Sequence, residues 1–198
     1  MMWSMRDARP WTYAALFGAL WGALELSLGS VLYLARLPLH GAIMSLLGLV
    51  CLICLRRLQP TIGVCALAGM VAIVLKIFTL GGLYPGPLIG IGGEALLMEL
   101  AFTLTGSRRL GAVVGGALVL AMTPIQLALG ILLLAGREAL HAFAAPLRAL
   151  AMRLGAPSMS DQVVLLGVAG ILGAVGALGA LGSWWVAGRV LRRLGGRP

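Results

Sequence analysis

Two carboxylates, Glu94 and Glu99, lie in a stretch reading PLIGIGGEALLMELAFTLTG that is apolar enough to cross a bilayer. An acid at membrane depth costs roughly 2.5–3.5 kcal/mol on insertion scales. Two in one stretch therefore call for partners or a task. The offset of five residues turns the two acids about 140° apart around a helix, so they serve different faces. A third acid, Glu25, falls in the outer half of the first apolar stretch, and Lys76 lies inside the third. Lys76 precedes the turn GGLYPGP by about 9 Å of helix and Glu94 follows it by about 10 Å. An ion pair between Lys76 and Glu94 is the expected way to tolerate both charges. The alternative is that both line a site, paired when it is empty and held apart by a ligand. Glu25 has no obvious partner in the sequence. Glu99 lies deeper, where it could cap a neighbouring helix or meet a Ser/Thr cluster. Gln126, Tyr33, Tyr84 and His40 fall in the same outer half or its loops, so they could converge with Glu25, Lys76 and Glu94 on an outward-facing pocket. Trp21 lies mid-span, where packing or lipid contact is as reasonable as stacking on a ligand.

The elements that must carry these groups follow from composition. Only 11% of the 198 residues are charged, against about 25% in a soluble domain. The mean hydropathy of +1.04 places the chain among integral membrane proteins. At about 20 residues per helix, the length fits six spans in one domain. We expect an all-α protein of one transmembrane domain over 1–198, with spans near 11–34, 41–55, 60–80, 87–105, 110–135 and 163–190. A retained first helix fits the N-terminus better than a cleaved signal. Pro60 suits a helix start, and Pro124 can kink the fifth span. Residues 137–155 read as an interfacial helix broken at Pro146, and Ser160 or Asp161 could cap the helix that follows. Residues 163–190 are rich in Gly and Ala, which favours close packing.

The net charge of +9 reflects arginines between the spans and at their ends. It reads as a topology signal and as contact with anionic lipid, with no nucleic-acid partner. With both termini on one side, that side collects Arg6, Arg9, Arg56, Arg57, Arg108, Arg109, Arg189, Arg192, Arg193 and Arg197. The other side holds Arg36, Arg137, Arg148 and Arg153. The positive-inside rule then puts both termini in the cytoplasm, and an even number of spans agrees. Cys51, Cys54 and Cys65 all lie in apolar runs. One CxxC without a second, and with no nearby His, reads as small apolar packing, with neither a metal site nor a disulfide framework.

In the first span, Ala15, Ala19 and Ala23 recur every four residues beside Gly18 and Gly22, a spacing that lets another helix approach closely. Six short spans, both termini inside, about 200 residues and this alanine repeat resemble the S components of energy-coupling factor (ECF) transporters. These are small membrane subunits that bind vitamins or related micronutrients. The resemblance covers the layout of nearly the whole chain. It implies a bacterial or archaeal cytoplasmic membrane and docking of Ala15, Ala19 and Ala23 on a transmembrane coupling subunit. It also implies a lid near 35–40 over an outward-facing pocket, with Glu94 and Tyr84 touching ligand. Two ABC ATPases would supply the energy, and toppling of the S component would carry substrate inward. The chain lacks GxxxxGK[ST], so ATP hydrolysis would belong to those partners, and no cofactor or enzymatic activity is expected. Two unpaired acids in the pocket would favour a cationic or amine-bearing substrate.

Three rivals remain open. An intramembrane enzyme acting on a lipid or prenyl substrate would use Glu25, Glu94 and Glu99 as acid/base groups, although the chain carries no HExxH. A small ion-coupled carrier would use isolated membrane acids, although no inverted repeat is visible. An assembly subunit without ligand would need the charges only as structural pairs.

Overall fold

The computed structural model describes residues 5–35, 40–78, 85–106, 108–153, 155 and 160–193, and among these it contains helices and no strand. The order is α1 (Met5–Leu24), a π-helical turn (Glu25–Gly29), α2 (Ser30–Leu34), α3 (His40–Leu58), α4 (Val64–Ile77), α5 (Pro85–Thr105), α6 (Arg109–Arg153) and α7 (Asp161–Arg193). Five stretches are long and apolar enough to cross a membrane: Ala8–Leu32, His40–Leu58, Gly86–Thr105, Arg109–Ala149 and Asp161–Arg189. Large apolar side chains such as Leu16, Leu96, Leu104, Leu133 and Ile171 face outward. A soluble surface does not carry apolar residues around its whole perimeter. Together these features make the chain a helical, multi-pass membrane protein.

The expected third span, 60–80, is shorter among the described residues. α4 has 14 residues, about 21 Å of helix against a hydrocarbon core of about 30 Å. Its start is set back from Pro60 because Gly63, at φ 93°, turns the chain in a left-handed conformation that suits glycine.

α3 is the hub. More than half of its span is buried, against a third or less in the other four. It touches α1, α4, α5, α6 and α7. Leu49, Leu52 and Ile53 from α3 pack with Trp21 of α1, Ala68 and Ala72 of α4, Met98 and Phe102 of α5, Leu120 of α6 and Ala180 of α7.

Glycine lets the helices close on one another. A Cβ at Gly18 would lie 2.8 Å from Val71 Cβ and 2.9 Å from Ala68 Cα, and one at Gly22 would lie 2.9 Å from Leu75 Cβ. α1 therefore meets α4 through Gly18 and Gly22, while Ala15, Ala19 and Ala23 remain exposed on an adjacent face, about 80° further round the helix. Gly69 meets Ala95 between α4 and α5, and Gly116 meets Gly176 between α6 and α7. The α6–α7 pairing is the most extensive in the molecule, consistent with the glycine and alanine content expected to pack 163–190 tightly.

One expectation about the second half is corrected. α6 runs helically through Pro146, and its non-helical residue, Gly136 (φ 80°, ψ −177°), falls between the expected span 110–135 and the expected helix 137–155. Glycine enters that region without the Cβ clash other residues suffer, so it hinges more easily than proline. Pro124 lies inside a helical stretch, and Gly136 is the interruption in α6. Asp161 begins α7, but Arg148 and His141 take its carboxylate. It clasps the end of α6 to the start of α7, while Ser160, the other expected cap, takes the N-cap position, its carbonyl accepting the Val164 N–H at 3.1 Å.

Candidate functional site

The first polar centre is built where α1 gives way to the π-helical turn. Widening a helix by one residue per turn redirects the side chains at that point, and such turns are frequent at functional sites. Here it coincides with Glu25, which is 8% exposed, and Gly29, which is also buried. Lys76, in the last turn of α4, donates to Glu25 Oε2 at 3.0 Å and to the Glu25 carbonyl at 3.1 Å. Gly29 clears the space beside this pair. A Cβ there would lie 3.3 Å from Glu25 Oε2 and 3.6 Å from both Lys76 Nζ and Met44 Cε.

One residue along from Met44, Ser45 projects from α3 and is 3% exposed. Its hydroxyl donates to Glu94 Oε1 at 2.5 Å. Glu25 lies within electrostatic reach of Glu94, so Glu25, Lys76, Ser45 and Glu94 form one polar cluster drawn from four elements. Gln126 of α6 rests against the glycine face of α5. A Cβ at Gly93 would lie 3.2 Å from its Nε2, and one at Gly90 would lie 3.6 Å from its Oε1. The expected Lys76–Glu94 pair is thus replaced by Lys76–Glu25, and Glu25 is not the unpartnered acid the sequence implied. Ala68, Ala72 and Lys76 share one face of α4. That is the face on which Gly18 and Gly22 bring in α1, so Lys76 is delivered to Glu25.

Trp21 borders the cluster, one turn before Glu25 on α1. It is fully buried against Gly48 of α3, so its lipid-facing reading is excluded. Its indole N–H has no acceptor among the described residues. His40 opens α3 and is half-buried, and the adjacent Gly41 approaches Thr123 of α6. The Tyr33 side chain, Tyr84 and most of the expected lid near 35–40 lie outside the described residues.

Glu99 belongs to a second polar centre at the other end of the bundle. Its Oε1 pairs with Arg56 Nη1 at 3.0 Å and its Oε2 accepts the Cys65 N–H at 2.9 Å. A carboxylate there satisfies an otherwise unpaired donor in the first turn of α4 and complements its dipole. The expectation that Glu99 caps a neighbouring helix holds. Thr103 donates to the Glu99 carbonyl at 2.7 Å, and Arg56 also donates to the Thr61 carbonyl and lies over the Phe102 ring at 5.8 Å. Glu99 therefore fastens α3, α4 and α5 together. The three cysteines are free thiols packed in or beside the core.

Sequence reasoning missed Ser45 and Arg56. A serine in an apolar span carries little signal. Arg56 was counted among the topology charges at a helix end, yet only 2% of it is exposed. Among the described residues no group of His, Cys, Asp and Glu is placed to hold a metal. No family model, curated protein or solved structure matches the chain.

Proposed function

We propose that this protein is the substrate-binding membrane subunit of an ECF-type importer, taking up a vitamin-sized organic molecule that carries an amine. The observation that carries this reading is the meeting of Glu25, Lys76, Ser45 and Glu94 at one end of the bundle. Glycines 29, 90 and 93 keep neighbouring backbone free of side chains there. Lys76 balances Glu25, which leaves Glu94, held by the Ser45 hydroxyl, as the acid to receive a substrate ammonium. Trp21 supplies a buried donor for a substrate acceptor, and a buried donor left unmatched costs about 1–3 kcal/mol.

The exposed Ala15, Ala19 and Ala23 supply a smooth ridge on which a coupling subunit could lie. The arginine distribution supports both termini in the cytoplasm, with the polar cluster toward the outside. The two ATPases and the coupling subunit would provide the energy. A second reading, a proton-coupled carrier, draws on the same Ser45–Glu94 contact, because a carboxyl at membrane depth can exchange a proton as well as bind a cation.

The test is mass spectrometry of small molecules released from the protein after gentle extraction from its host. The S-component reading expects a stoichiometric amine-bearing ligand whose affinity falls at least about 30-fold in Glu94→Gln, as loss of one member of a buried charge pair implies. The carrier reading expects no retained ligand and proton uptake that Glu94→Gln abolishes.

A further inference from the structure

At the end of the bundle opposite the Glu25–Glu94 cluster, three arginines from three helices line one cleft of about 270 Å³. Arg57 comes from the last turn of α3, Arg109 opens α6, and Arg192 lies near the end of α7. Trp184 and Trp185 form its wall. Arg57 is fixed in place. Its guanidinium stacks 4.2 Å from the Trp184 ring centre and donates to the Trp184 carbonyl. Gly188 makes that fit possible, because a Cβ there would lie 2.7 Å from Arg57 Nη1. Arg57 and Arg192 are near enough to repel each other.

Among the described residues no carboxylate lines this cleft. Of the acids whose side chains are described, Glu25, Glu94, Glu99 and Asp161 are each held elsewhere, and Glu138 lies beyond the hinge of α6. Three like charges are thus gathered with no acid among the described side chains to balance them. An anion is the missing partner in charge terms. Guanidinium forks match phosphate oxygens bidentately. Paired tryptophans belong at the level of lipid headgroups.

We propose that this cleft binds the phosphate of an anionic phospholipid headgroup, with Arg57 as the fixed contact and Arg109 and Arg192 closing around it. The tryptophans place the site at the membrane–water boundary, where the lipid's chains can run down the apolar flank of α7. The proposal stands apart from the function proposed above, since it uses none of the same residues.

The test reconstitutes the full chain in phosphatidylcholine nanodiscs with and without phosphatidylglycerol, and counts retained lipid by native mass spectrometry. Wild type is expected to retain phosphatidylglycerol in preference to phosphatidylcholine. Arg109→Gln/Arg192→Gln is expected to lose that preference about 25-fold, and Arg192→Gln alone about fivefold, following the usual contribution of one basic residue near anionic lipid. Arg137→Gln/Arg153→Gln removes the same charge at the other end and is expected to change nothing. Should the first double variant fold poorly, the single variant at exposed Arg192 decides. Equal loss in both double variants, no preference in wild type, or equal protection by inorganic phosphate alone would each overturn the assignment. The last result would make it a free-phosphate site.

Discussion

Lys76 and Glu25 show how a charged pair can be carried inside an apolar bundle. Each is largely removed from water, at 17% and 10% side-chain exposure, so removing one leaves the other unbalanced. Lys76→Ala is expected to cost about 3 kcal/mol, near the low end for breaking a buried pair. Adding Glu25→Gln should recover more than half of that loss, read as the thermal midpoint in detergent and analysed as a double-mutant cycle. If the two losses simply add, the pair carries no coupling. That charged groups gather near Glu25 and Glu94 was legible in the residue types. Which groups would pair was not, because adjacency in sequence pointed to the helices on either side of one turn. The governing signal was finer. Small residues 18 and 22 precede Glu25 and small residues 68 and 72 precede Lys76, so two smooth faces meet and bring their charges with them.

At the scale of elements, the first helix has two small-residue faces with different roles. Gly18 and Gly22 hold α4 at backbone distance, whereas Ala15, Ala19 and Ala23 touch nothing within the chain that buries them. Gly18→Leu should destabilise the fold by at least about 1–3 kcal/mol, the usual cost of overpacking. Ala19→Leu should leave the thermal midpoint unchanged and weaken only docking of a partner. Equal destabilisation by both would mean that the alanine face packs inside the protein. Helix limits read from hydropathy came close. The expected 41–55, 87–105 and 163–190 lie within His40–Leu58, Pro85–Thr105 and Asp161–Arg193. The failures came from backbone conformation. Hydropathy gives no account of the left-handed Gly63 that delays α4, nor of the helix running on through Pro146, whereas the hinge at Gly136 falls where the expected 110–135 ends and 137–155 begins.

For the whole molecule, the two polar centres divide the work between the ends of the bundle. Glu99 and Arg56 join three helices at one end through contacts within the bundle. Glu99→Gln should therefore lower stability by about 3 kcal/mol without changing ligand affinity, measured by thermal unfolding and equilibrium binding on the same sample. The other end holds the glycine-cleared cluster, and the exposed alanines run along α1 between the two ends. Composition alone was enough for the membrane class and the all-helical fold. The proposed S-component function rests on the six expected spans and the alanine repeat, and recovery of a partner is what would test it.

The most direct measurement is to tag the protein in its own host, extract it in mild detergent and identify what co-purifies, with Ala19→Leu run beside the wild type. The account predicts recovery of one membrane coupling protein and two ABC-type ATPases with the wild type, and their loss with Ala19→Leu. Recovery of the wild type alone, or with the same companions regardless of Ala19→Leu, would contradict it.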